Sequence, residues 1–123
     1  MERDGGRVTR EVLLPASREE VWEAITRPER LAEWFGGELE LEAVPRGRVE
    51  HRAPDGSRRA GRVVSVDRPL RLVLWWADAD EGEGEDVAGA TGTRVEFVLL
   101  THDDGTLLTV TESDAPSPLA MAG

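Results

Sequence analysis

Two side chains in this chain have the types and settings that acid–base chemistry needs. His51 shares a strand face with Val49, and Glu112 shares one with Leu108 and Val110. If both faces point inward, an acid and a histidine meet in an apolar pocket, where burial tunes a carboxyl group and a carboxylate orients an imidazole. The plainer alternative is that Glu112 ends a strand and His51 ends a hairpin, with water around both. The other histidine, His102, lies beside a turn and offers less. These are the only catalytic candidates, and no spacing makes them a motif: there is no Ser-His-Asp set, no glycine loop for a phosphate and no HExxH.

Metal chemistry has little to build on. With no cysteines, disulfides and thiolate metal sites are excluded. Asp78, Asp80, Glu81, Glu83, Glu85 and Asp86 put carboxylates close together, but without the D-x-[DN]-x-[DN]-G spacing of an EF-hand loop. They read as a solvated, flexible acidic loop over 78–92, and neither a metal nor a cofactor is expected. Arg46, Arg48, Arg52, Arg58, Arg59 and Arg62 form a basic cluster in a chain of net charge −10. Pairing across strands with the acids of Glu38 to Glu42 accounts for them; a docking patch for an acidic partner is the sharper alternative.

The elements that must hold these residues are one helical stretch and a series of strands. Ser17-Arg18-Glu19-Glu20 is a capping box, and Val21, Trp22, Ala24 and Ile25 follow at helical spacing. Pro28 suits the first turn of a second helix, whose apolar face is Leu31, Ala32, Trp34 and Phe35, and Gly36-Gly37 stops it. Val8 to Leu14 is a strand before the helices. After them come Glu38 to Val44, a strand around His51, Arg59 to Asp67, Leu70 to Ala77, Thr93 to Thr101 and Thr106 to Ser113. Val63, Val64 and Val66 cannot share a face without a bulge. Leu70 to Ala77 is apolar on both sides, as a central strand is. Turns at Pro54-Asp55-Gly56 and Asp103-Asp104-Gly105 make hairpins. The order predicts an α+β domain: an antiparallel sheet of six to seven strands with two short helices between strands one and two.

A chain of 123 residues is a single domain, with a core over about 8–113 and tails at 1–6 and 114–123. The acidic balance disfavours nucleic acid and anionic membranes. No apolar run is long enough to span a bilayer and no signal peptide is evident, so a cytoplasmic location is expected.

The ordered residues carry a resemblance. Pro15-Ala16-Ser17, Val21-Trp22-Glu23-Ala24-Ile25-Thr26, Pro28-Glu29 with Leu31 and Trp34-Phe35, then Gly61-Arg62-Val63, Pro69, Leu72, Trp75 or Trp76, and Gly105-Thr106 with Leu108-Thr109 resemble the START-like (SRPBCC, helix-grip) superfamily. The branch is that of bacterial relatives of the activator of heat-shock-protein-90 ATPase. The resemblance implies a curved sheet whose concave face binds a small hydrophobic ligand or a protein partner. Trp34 and Phe35 would lie near the pocket mouth, and His51, Trp76, Phe97, Leu108 and Glu112 would line it. Core packing is the plainer role for the aromatics.

The sequence departs from the pattern twice. Arg27 stands where the family usually has Asp. The long C-terminal helix that usually lies across the sheet is absent, since nine residues follow Asp114 and two are proline. Val95, Phe97, Leu99, Leu108 and Val110 would then lie uncovered, which favours a homodimer through that face, or a partner on it, over a bare monomer. A truncated chain of marginal stability is the third reading. The function expected is non-enzymatic binding. The alternative is a cyclase- or hydrolase-type enzyme using His51 and Glu112, and a chaperone-associated role follows from the branch name alone.

Overall fold

Ser17 starts the only helical stretch among the described residues. Its hydroxyl accepts the Glu20 backbone N–H at 3.2 Å, and the Glu20 carboxylate accepts the Ser17 N–H at 3.0 Å. This reciprocal cap opens α1 (Arg18–Thr26). The Ser17 N–H, and the Ser17 hydroxyl donating to the same carboxylate at 3.1 Å, hold the Glu20 carboxyl below its ordinary value, the backbone bond contributing most. A carboxyl depressed by folding stabilises the fold above its unfolded-state value and loses that contribution as pH falls through the folded value. Glu20→Gln should therefore lower the urea midpoint at neutral pH, with a gap to the parent that narrows as pH falls through the carboxyl range, whereas Ser17→Ala, which also removes the acceptor for the Glu20 N–H, should keep part of its gap.

The computed structural model describes residues 2–3, 7–78 and 91–116. In chain order the elements are β1 (Glu2–Arg3), β2 (Arg7–Leu14), α1, α2 (Pro28–Phe35), β3 (Glu38–Leu41), β4 (Arg48–Arg52), β5 (Arg58–Asp67), β6 (Arg71–Asp78), β7 (Thr91–His102) and β8 (Gly105–Pro116). The strands form one antiparallel sheet in the order β1-β2-β8-β7-β6-β5-β4-β3. The α+β helix-grip architecture expected from the sequence is therefore present, with one strand more than expected, the two-residue β1. Glu2 and Arg3, expected in a frayed tail, pair with Thr9 and Val8.

Pro28 sits in the first turn of α2, and Gly36 ends that helix at φ 83, which favours glycine. The three valines resolve as the strand period requires: the register of β5 shifts between Val63 and Ser65, so Val63 and Val66 face the core while Val64 is exposed. β6 lies mid-sheet and is buried on both sides from Leu72 to Ala77. On its outer side the Trp75 indole lies over Gly92 and donates to the Ala115 carbonyl at 3.0 Å. Asp114 to Pro116, expected in an irregular tail, instead extend β8 opposite Thr91 to Thr93. The acidic stretch 79–90 and residues 117–123 lie outside the described residues, so the expected loop and tail there are not described.

The inward face of the sheet packs on α1 and α2 in one cluster that includes Trp22, Ile25, Leu31, Leu72, Leu74, Trp76 and Phe97. Thr106, fully buried, ties the approach to α1 onto β8 by donating to the Ala16 carbonyl at 2.7 Å. The expectation of an uncovered apolar concave face does not hold. Val95, Phe97, Leu99, Leu108 and Val110 are each at most 1% exposed. The sheet is curved, so its inward rows wrap the helix pair, and α1 packs on both β7 and β8. Apolar exposure lies instead on the opposite face, where Leu13 and Leu100 flank Leu107 across β2, β8 and β7.

Candidate functional site

Three adjacent inward rows of the sheet bear on the site. Glu112, Val95, Leu74 and Val63 form one, on β8, β7, β6 and β5. Asp114, Thr93, Trp76, Gly61, Val49 and Leu41 form the next, and Asp78, Arg59, His51 and Leu39 the last. Gly61 stands opposite Trp76, so β5 presents no side chain there. The Trp76 indole meets residues from three other elements. Its ring stacks on His51 at 5.4 Å between centroids and 23° between planes. Phe35, at the end of α2, meets it edge-on at 5.3 Å, and the Arg59 guanidinium lies 4.4 Å from the ring centroid.

His51 is 3% exposed, and both ring nitrogens are engaged. Nε2 lies 2.8 Å from the Gly36 carbonyl, which only accepts, so Nε2 carries the hydrogen. Nδ1 then accepts from Arg59 Nη2 at 3.3 Å. His51 thus satisfies a carbonyl at the end of α2 and orients Arg59, and neither nitrogen is left to take a substrate proton.

Glu112 is not near it. β4 and β8 are separated by β5, β6 and β7, and each strand adds about 4.8 Å. Glu112 pairs with Arg10 of β2 at 2.5 Å. The acid and histidine singled out in the sequence share the inward face, yet they belong to separate hydrogen-bonded groups.

The remaining candidates divide in the same way. Phe97 and Leu108 are fully buried in the main cluster, as core residues are, while Phe35 is half-buried beside His51 and Trp76. The Trp34 side chain lies outside what is described. His102 is exposed beside Asp103. Of the arginine cluster, Arg48 and Arg62 stand opposite each other, as do Arg52 and Arg58; Glu50 lies 2.6 Å from Arg48 and 3.8 Å from Arg58, and Arg52 faces Glu38. Arg59 alone of the cluster joins the aromatic group. In sequence it is indistinguishable from the other cations, although its spacing of two from Gly61 puts it on the inward face.

A cleft of about 280 Å³ borders this group, lined by Arg59, Trp76, Ala77, Asp78, Gly92, Thr93 and Asp114. Asp78 and Asp114 at its rim are exposed, Arg59 and Thr93 are half-buried, and Trp76 is fully buried. The Trp76 Nε1 hydrogen is shielded from solvent and has no acceptor among the described residues. No group of three or more His, Asp or Glu side chains among the described residues is placed to hold a metal ion. No helix among them is long and apolar enough to cross a membrane.

A curved antiparallel sheet gripping two helices, with polar and aromatic groups at one end of its inward face, defines the helix-grip class of START-like domains. The model of the Activator of Hsp90 ATPase homolog 1-like protein family matches residues 15–122, and the chain belongs to that family. Solved structures share the fold. MLL2253 from Mesorhizobium loti aligns with a TM-score of 0.72 at 22% identity, over 94% of this chain and 82% of its own. DynU16, from the dynemicin biosynthetic locus, aligns with a TM-score of 0.68 at 30% identity, over 88% of this chain but 37% of its own. PFC0360w, an HSP90 activator from Plasmodium falciparum, aligns with a TM-score of 0.68 at 18% identity, over 91% of this chain and 75% of its own. No curated protein sequence matches significantly.

Proposed function

We propose that the protein is a non-enzymatic binding domain that takes a small, largely apolar molecule at the end of its inward sheet face, in the cleft beside Trp76. One observation carries this reading: Phe35, His51, Arg59 and Trp76 are assembled beside that cleft, whereas His51 and Glu112 are held apart by three strands. Recognition needs a recess with a few fixed polar groups, and the cleft sets Arg59 and Thr93 beside Trp76 and Ala77. Acid–base catalysis needs a free nitrogen or carboxylate within hydrogen-bond reach of the substrate and of its partner, and the cyclase or hydrolase reading lacks that support. The likeness to DynU16, a protein of a biosynthetic locus, fits a small organic ligand. A homodimer through the concave face loses its premise, because that face is buried.

The neutral aromatic 2-naphthalenemethanol serves as probe. Its saturable binding should shift the amide signals of Arg59, Trp76 and Thr93 in two-dimensional NMR, and no saturable shift up to millimolar probe would overturn the reading. His51→Gln and Glu112→Gln should each keep the probe affinity within about threefold, because neither side chain provides a wall of the cleft. A loss of tenfold or more in both variants would return the pair to the centre of the site.

A further inference from the structure

We propose that His51 is a pH-sensitive latch: its neutral ring holds the Arg59 guanidinium against Trp76, and its protonation passes Arg59 to Asp78 across the cleft. The device needs no ligand, so it stands or falls apart from the binding reading above. Three observations meet here. The first is that a lone pair does the holding. Nε2 of His51 carries its hydrogen toward the Gly36 carbonyl at 2.8 Å, so Nδ1 is the acceptor for Arg59 Nη2 at 3.3 Å. A further proton can go only to Nδ1. That nitrogen then becomes a donor facing a donor, and two positive charges oppose each other where one hydrogen bond stood. The second is that Trp76 serves both groups. His51 stacks on its ring at 5.4 Å between centroids, and the guanidinium lies 4.4 Å from the ring centroid. An imidazolium on that ring replaces the cation that Arg59 withdraws. The third is the destination. Asp78 stands directly opposite Arg59 in the β5–β6 register, so both side chains leave the same face, with Cβ atoms about 5 Å apart. Asp78 is exposed and has no ion pair among the described residues. A change of Arg59 rotamer is enough to join the two.

The surroundings of His51 make Arg59 the group that responds. From β3 it faces Leu39, from α2 the Gly36 carbonyl and the Phe35 ring at 6.0 Å, from β6 the Trp76 indole, and from β5 Arg59. Arg59 is thus the only charged side chain among the described residues in contact with the ring. Glu38, Glu50, Arg52 and Arg58 alternate to the other face of β3, β4 and β5. Asp114, the other carboxylate on the cleft, belongs to β8, three strands from Arg59, so Asp78 is the nearer acceptor. The bond from Nε2 to Gly36 is the same in both protonation states, so the end of α2 stays docked and the change is confined to Arg59. Both Arg59 and Asp78 line the cleft, and their pairing narrows it on the β5–β6 side.

The test follows the imidazole nitrogens of His51 and the Nε–H signal of Arg59 by NMR in the nitrogen-15-labelled full chain, between about pH 8 and pH 5, where imidazoles titrate and carboxylates stay ionised. Nδ1 of His51 should change from acceptor to protonated, Nε2 should keep its hydrogen, and the Arg59 signal should move with the same midpoint. Asp78→Asn should remove most of the Arg59 shift. In His51→Gln, whose amide can still donate to Gly36 but does not titrate, the Arg59 signal should stay constant over the whole range. His102→Gln, which alters the only other histidine of the chain, should leave the coupled shift in place. A His51 ring that stays neutral down to pH 5 in the folded protein would overturn the proposal. So would a ring that takes its proton while the Arg59 signal stays still, or an Arg59 shift that persists in His51→Gln. The parent protein alone decides between the first two outcomes and the expected one, even where a variant fails to fold.

Discussion

Trp76→Ala should lower the unfolding free energy by about 3–5 kcal/mol, the range for deleting a fully buried aromatic. Trp76 is completely buried in mid-sheet and meets His51, Phe35 and Arg59, so its removal unties β6 from β4, from the end of α2 and from Arg59 of β5 at once. The control is Trp76→Phe. It keeps much of the ring and removes a buried N–H that has no acceptor among the described residues, so its cost should be well under half that of the alanine variant. Urea denaturation of the three proteins, followed by far-UV circular dichroism, measures this directly. An alanine variant that loses less than 1 kcal/mol would mean that the aromatic group is not a structural centre.

Gly61→Ala is the second large effect, and its cause is steric. A Cβ on Gly61 would stand 1.7 Å from the Trp75 carbonyl oxygen and 2.6 Å from the Trp76 Cα, both backbone atoms that cannot swing away. The strands must separate just before the bulge, at a cost of about 3 kcal/mol, the upper end for overpacking. Gly56→Ala isolates this cause. At Gly56 a Cβ meets nothing within 4 Å, and only the positive φ of 94° opposes it, for about 1 kcal/mol. Thermal melts of the two variants should therefore separate by several degrees, and equal melting points would count against the close approach of β5 and β6.

Much of the fold is legible in local chemistry. Ser17 and Glu20 announce a helix start because a capping box needs only four consecutive residues. Val63, Val64 and Val66 announce a bulge because a two-residue period cannot place all three inward. The site is less legible because it is made by register. Nothing local joins His51 to Trp76, two strands away, or makes Arg59 differ from the arginines around it. Glu112 looks available in sequence because its partner, Arg10, is 102 residues earlier. The concave face looks uncovered because a linear count of helices omits the curvature of the sheet. Asp114 to Pro116 read as a tail because Pro116 and Pro118 suggest an ending, yet beyond Ser113 β8 has no described partner on its β2 side, so Pro116 sits at a local edge, where a proline is tolerated.

The pairing of β2 with β8 has a consequence for how the molecule is made. Among the described residues, and apart from the two-residue β1, the only neighbour of β2 is β8, through registers such as Val8 with Glu112. The hairpins from β3 to β7 can zip up one after another as they are synthesised, but β2 must wait, unpaired, until the end of the described chain has left the ribosome. Its docking closes a loop of almost the whole polypeptide, an entropic cost paid late and a contact order typical of slow folders. During that interval the apolar side chains of Val12 and Leu13 are carried on an open strand, and nascent chains stalled before residue 105 should be the species that engage chaperones.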